Sequence, residues 1–112
     1  MEIRKITDDY AVSAQIASTD IAAIKAAGYR SVVCNRPDAE DPGQPTADQI
    51  RRDVEAAGLA FRWLPVVSGQ ITEQNVRDQA KALAELEGPV FAYCRSGARC
   101  TNLYMMAQQF KG

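Results

Sequence analysis

The chain has no histidine. That absence removes the commonest metal ligand and excludes a nucleophile activated by a Ser-His or Cys-His pair, so activation falls to backbone dipoles or cationic side chains. Cysteine is scarce: Cys34, Cys94 and Cys100 cannot all pair with one another, and their spacing fits no zinc motif. No metal and no cofactor are expected. Long apolar runs are missing, and residues 1–9 are polar and of mixed charge, so the chain is expected to lack a membrane span and a signal peptide and to be cytoplasmic. One-sided charge is missing too. The 13 Lys+Arg against 14 Asp+Glu leave a net charge of -1, which provides no electrostatic basis for binding nucleic acid or a membrane surface.

What is present suits one folded domain over residues 1–112, with 46% hydrophobic residues to build a core. Residues 3–7 and 10–15 read as two short strands around Asp8-Asp9, an edge hairpin. Ser18-Thr19-Asp20 caps a helix over 20–27 that stops at Gly28. A buried-strand pattern at 31–35 leads into a polar loop at 36–45. Thr46 with Gln49 forms a capping box for a second helix ending at Gly58, and 59–67 reads as a strand cut at Pro65. Thr72 caps a long helix that ends at Gly88-Pro89, followed by a strand at 90–93 and a helix over 101–110. Strands alternating with helices predict a three-layer α/β domain, with a mostly parallel central sheet flanked by helices and functional loops at the carboxyl ends of the strands.

The residues that carry chemistry lie where the strand at 90–93 hands over to the last helix, in Cys94-Arg95-Ser96-Gly97-Ala98-Arg99-Cys100. Backbone N–H groups of such a turn can converge on one point, and the positive end of the helix dipole adds to them. Gly97 supplies the positive φ that such a curl requires. The expectation is an anion cradle built from Arg95, Ser96, Gly97, Ala98 and Arg99 around Cys94. The same backbone and dipole field, with Arg95 and Arg99 nearby, should lower the Cys94 pKa and hold it as the thiolate. Two other loops share the rim, placing Arg36, Asp38, Glu40, Ser68 and Gln70 as candidate neighbours, with Asp38 and Glu40 the candidate acids. Cys100 is either a core residue or a resolving thiol for Cys94, and Cys34 is a core residue.

These segments resemble a known family. Tyr10 to Gln15, Asn35-Arg36-Pro37-Asp38-Ala39-Glu40, Leu64-Pro65-Val66 with Gly69-Gln70-Ile71-Thr72, and Tyr93 to Arg99 together resemble the phosphatase-type domain of bacterial beta-lactamase-hydrolase-like proteins. The resemblance implies a tyrosine/dual-specificity-phosphatase-like fold and an activity described in the family as phosphatase or sulfur transfer. In fused relatives the domain accompanies a persulfide-oxidising metallo-hydrolase-like domain, which implies sulfide metabolism and a sulfide-oxidising partner enzyme.

Three departures from the phosphatase pattern tilt the expected chemistry. Arg99 follows Cys94 after four residues instead of five, with Cys100 in the arginine's place, a spacing that resembles the rhodaneses. Tyr93 stands where those phosphatases have histidine, and Val66-Val67-Ser68-Gly69-Gln70 carries no carboxylate where their acid lies. Sulfur transfer has a good leaving group and needs less acid help. The leading expectation is therefore a rhodanese-type sulfurtransferase that forms a Cys94 persulfide from thiosulfate or glutathione persulfide. The alternative is a phosphatase acting on a phosphate ester through a Cys94 phosphocysteine, and the third reading is a non-catalytic module that binds an anion or a persulfide. Phe61, Trp63, Leu103, Tyr104, Met105, Met106 and Phe110 read as core or as a partner surface, which makes a homodimer an expectation too.

Overall fold

The computed structural model describes residues 1–110. Five strands, β1 (Arg4–Thr7), β2 (Tyr10–Ser13), β3 (Ser31–Cys34), β4 (Ala60–Trp63) and β5 (Val90–Tyr93), form one sheet in the order β1-β2-β5-β3-β4. Only β1 runs antiparallel to its neighbour, so the predicted mostly parallel sheet and its edge hairpin are both present. Four helices, α1 (Ile21–Ala26), α2 (Ala47–Ala56), α3 (Glu73–Glu85) and α4 (Ala98–Phe110), cover it. Alternation along β5 sends Phe91 and Tyr93 into a core shared with Ile21, Ile24, Ile50 and Val54 of α1 and α2. Val90, Ala92 and Cys94 enter the opposite core, with Leu83 of α3 and Cys100 and Tyr104 of α4. The three layers follow from that alternation.

β5 is the central strand, paired on both edges, with Tyr93 level with Ser13 and Cys34. The chain therefore leaves the most constrained strand of the sheet at Cys94, and the loops at the same end of β3 and β4 rise beside it.

Local signals account for most element boundaries. Thr46 accepts from the Gln49 N–H at 3.1 Å while Gln49 accepts from the Thr46 N–H at 2.9 Å, and Thr72 and Asn75 repeat the arrangement at α3. Three boundaries differ from expectation. The strand read at 59–67 is regular only to Trp63, because Pro65 has no N–H to give; the chain still holds to β3 through Leu64 N–H to Cys34 O and Val66 N–H to Asn35 O. Helix α3 stops at Glu85, where Leu86 turns extended (φ -80, ψ 143), before the Gly88-Pro89 breaker is reached. Helix α4 begins at Ala98 instead of residue 101, because the loop curls tightly enough for Thr101 N–H to bond Gly97 O at 3.1 Å.

The aromatic and methionine residues divide between core and surface. Leu103 is buried and Tyr104 stacks on Tyr10 at 4.3 Å, whereas Met105, Met106, Phe110 and Trp63 are exposed. The Trp63 indole N–H donates to Arg36 O at 3.0 Å. Among the described residues no helix is long and apolar enough to cross a membrane.

Asp38 also has a structural task, since its Oδ1 accepts from the Ala47 N–H at 2.8 Å and so closes the first turn of α2. Asp38→Ala is expected to lower the unfolding free energy by about 1 kcal/mol in a urea titration, with the alkylation rate of Cys94 unchanged. Loss of Cys94 reactivity at full stability would show that Asp38 serves the loop instead.

Candidate active site

Cys94 is 1% exposed and sits inside a curl of its own loop. Gly97 N–H donates to the Cys94 Sγ at 3.1 Å, and Gly97 has the φ of +93° that bends the chain back over the sulfur. A Cβ at position 97 would also run into the Arg4 guanidinium. The Cys94 thiol is pulled down to about 5; the Cys100 side chain contributes most, with the backbone N–H groups of Cys100, Ser96 and Gly97 adding to it against the opposing effect of burial. The downward direction and the backbone share of it agree with the sequence expectation, whereas the leading contribution of the Cys100 side chain was not foreseen. The dominant donors belong to the loop and the first turn of α4. Arg95 is largely exposed and Arg99 turns toward a carboxylate, so the arginines are not the leading cause.

Cys100 is fully buried, and burial together with the neighbouring Cys94 pushes its thiol well above the ordinary range. It therefore stays protonated and remains a donor. It occupies the core as the simpler reading had it, and it also stabilises the nucleophile. Cys34 is a core residue, its thiol raised by burial.

Arg99 is nearly buried, and its donors divide between two tasks. Nη1 donates to Glu40 Oε2 at 2.8 Å and to Val66 O at 2.7 Å, while Nη2 donates to Glu40 Oε1 at 3.1 Å. Of the five guanidinium hydrogens, the Nε–H and the second Nη2–H have no partner among the described residues. These two lie on one edge, in the spacing that grips two oxygens of an oxyanion. Arg99 with Arg95, Ser96, Ser68, Gly69 and Asn102 lines an open cleft of about 420 Å³.

Glu40 reaches Arg99 through the polar loop after β3. Its Oε1 also accepts from Arg36 Nε at 2.8 Å, and Arg36, 3% exposed, donates further to Gln15 Oε1 at 3.0 Å and Asp41 Oδ2 at 2.6 Å. The Arg99 hydrogen bond, followed by that of Arg36, holds the Glu40 carboxyl below the usual range. Glu40 is consequently a fixed anion that positions Arg99 and is unsuited to give a proton. Asp38 is engaged at α2, so neither candidate acid is placed to act as one.

The remaining rim residues separate. Ser68 lines the cleft, whereas Gln70 is exposed and its N–H closes a turn onto Val67 O at 3.0 Å. Ser96 accepts from the Ala98 N–H at 3.3 Å through its hydroxyl, helping to start α4. Three contributors escaped the sequence reading. Arg4 of the edge strand donates to Ser96 O at 2.7 Å and braces the loop from outside. Asp41 accepts from Arg36 and lies 3.5 Å from Arg95 Nε. Asn35, fully buried, donates to Leu64 O at 3.0 Å and Gln79 Oε1 at 2.8 Å, which ties down the segment that carries the Val66 carbonyl. Arg4 and Asp41 sit in no local motif, whereas Asn35 falls within a segment that carries the family resemblance.

A three-layer α/β domain whose mostly parallel sheet delivers a cysteine from its central strand into a tight strand-to-helix loop has a phosphatase-like architecture. More specifically, the chain belongs to the phosphatase-like domain family of beta-lactamase hydrolase-like proteins, whose family model matches residues 2–111. It is 35% identical over all 112 residues to the beta-lactamase hydrolase-like protein of Agrobacterium fabrum, and spans only about a quarter (26%) of that relative's length. Among solved structures it is similar to a candidate phosphatase from Neisseria meningitidis (TM-score 0.90, 34% identity, all of this chain and 80% of that one). In fold alone it also matches TpbA of P. aeruginosa in complex with pTyr (TM-score 0.71, 18% identity, 96% of this chain and 64% of that one). The resemblance and the tyrosine/dual-specificity-phosphatase-like fold are borne out. The phosphatase alternative is the better backed; nothing in these comparisons supports the sulfurtransferase expectation.

The contribution of Cys100 is measurable. A hydrogen bond to a charged group is worth about 1.5–3 kcal/mol, so Cys100→Ala should raise the midpoint of pH-dependent Cys94 alkylation by about 1–2 units, followed by peptide mass spectrometry. Cys100→Ser, which keeps a donor, should stay closer to the parent. An unchanged midpoint in Cys100→Ala would assign the thiolate to the backbone alone.

Proposed function

We propose that this domain hydrolyses phosphate esters through a covalent phosphocysteine. The observation that carries this reading is the free Nε–Nη2 edge of Arg99 beside a thiolate with a pKa of about 5. Cys94 Sγ attacks phosphorus, the S–P bond forms as the P–O bond to the leaving group breaks, and the electron pair departs on the leaving oxygen. Arg99 grips two phosphoryl oxygens, and the loop N–H groups meet the charge that builds on them in the transition state. Water then attacks phosphorus, a new O–P bond forms as the S–P bond breaks, both water protons remain on the departing inorganic phosphate, and Cys94 leaves as the thiolate that the loop and Cys100 stabilise. Glu40 and the Val66 carbonyl act as positioning groups, because they fix the plane of the guanidinium without touching the substrate.

One observation favours the sulfur-transfer alternative: only four residues separate Cys94 from Arg99. Family membership and the phosphatase-like neighbours weigh more heavily toward phosphate.

The test is hydrolysis of p-nitrophenyl phosphate beside thiosulfate-dependent sulfur transfer on the same preparation. Phosphate release should fall more than about a thousandfold in Cys94→Ser, and Arg99→Lys should lower kcat/KM by about a hundredfold, since lysine lacks the planar fork. A wild type that carries a persulfide and releases no phosphate would overturn the proposal.

A further inference from the structure

The phosphatase reading leaves open how the leaving oxygen is stabilised, and this inference rests on that reading. An alkoxide is too basic to depart unaided, so an enzyme that cleaves alkyl phosphates places an acid beside the bond. The loops around the cradle hold three carboxylates, and each is committed to another partner. Asp38 closes the first turn of α2 on the Ala47 N–H. Glu40 bridges Arg36 and Arg99 as a fixed anion. Asp41 takes the Arg36 Nη2 at 2.6 Å and faces Arg95 Nε at 3.5 Å. The third wall, residues 64–72, is neutral throughout.

The groups that do face the cleft are of the opposite kind. Arg95 lines it as an exposed cation whose Nε faces Asp41 at 3.5 Å and whose Nη groups have no partner among the described residues, and Asn102, Ser68 and the Gly69 backbone supply neutral polar groups. Such a wall stabilises an oxygen that departs carrying its negative charge and has no proton of carboxylic acidity to offer it. We propose that the site selects phosphates whose leaving group departs unprotonated, as a weakly basic anion: acidic aryl phosphates, acyl phosphates and phosphoanhydrides. Simple alkyl phosphomonoesters are poor substrates. Arg95 is the specificity-determining residue, pairing with the departing anion while Arg99 holds the transferred phosphoryl group. The electron pair of the broken P–O bond remains on the leaving group, which enters solvent as the anion and needs no proton from the protein.

The experiment is a leaving-group series on the full chain: aryl phosphates graded by the acidity of the phenol, acetyl phosphate, inorganic pyrophosphate and O-phosphoserine. General acid catalysis is worth about 10²–10⁴-fold, so kcat/KM should fall steeply along the aryl series and drop by more than about 10⁴-fold from the most acidic phenol to phosphoserine. Asp41→Asn should leave that slope unchanged. Arg95→Ala should lower kcat/KM for acetyl phosphate or pyrophosphate by about tenfold or more, with no shift in the pH midpoint of Cys94 alkylation. A flat series with ready turnover of phosphoserine would overturn the inference alone, as would a flat wild-type series that becomes steep in Asp41→Asn, which would identify Asp41 as the acid. Failure of every substrate, with no phosphoryl group trapped on Cys94, would overturn the phosphatase reading and this inference with it.

Discussion

The convergence of loop donors on the Cys94 sulfur is the interaction on which the rest of the site depends. A buried thiolate is unfavourable unless donors replace the water it loses. Here the Gly97 N–H donates to the sulfur at 3.1 Å, and the Cys100 side chain, with the N–H groups of Cys100, Ser96 and Gly97, lowers the pKa against burial. That arrangement needs a positive φ at Gly97 and a helix that starts at once at Ala98. It also needs a strand that cannot shift, which β5 satisfies by pairing on both edges. Because the thiol titrates at about 5, the reactive form persists from neutral pH down to that value and is lost only below it.

A second network fixes the Arg99 guanidinium. Arg36, Glu40 and Arg99 form a chain of charges withdrawn from solvent, which is tolerable because each is paired and hydrogen-bonded. The Glu40 carboxyl is held below its usual range, so the pairing lasts at neutral pH and is released only as pH falls through that lowered value. The long polar loop after β3 thereby acquires a purpose beyond connecting two elements. It carries the carboxylate that holds the Nη groups of Arg99, while Arg4 on the far edge of the sheet braces the Cys94–Arg99 loop at Ser96 O.

What could be read in the amino-acid order was local. The Thr46–Gln49 and Thr72–Asn75 boxes, the central strand at 90–93 and the cysteine at its end each depend on a few consecutive residues. What could not be read was tertiary. The backbone field and the neighbouring arginines account for a lowered thiol in the sequence, but the largest contribution comes from the Cys100 side chain, six positions away in the first turn of α4. Asp38 and Glu40 appeared equivalent as acids until their partners were known: one caps a helix and the other holds an arginine. The short Cys94-to-Arg99 spacing suggested sulfur chemistry, yet it leaves the guanidinium edge free to grip two oxygens. Spacing alone does not report which edge of an arginine is free.

The most direct test of the cradle is a crystal structure with tungstate, a tetrahedral mimic of the transferred phosphoryl group. The tungsten should lie over the Cys94 Sγ, with its oxygens accepting from the backbone N–H groups of residues 95–99 and from Nε and Nη2 of Arg99, while Glu40 keeps both of its arginines. An anion held only by Arg95 at the surface, or an Arg99 whose free edge faces away from it, would contradict the account.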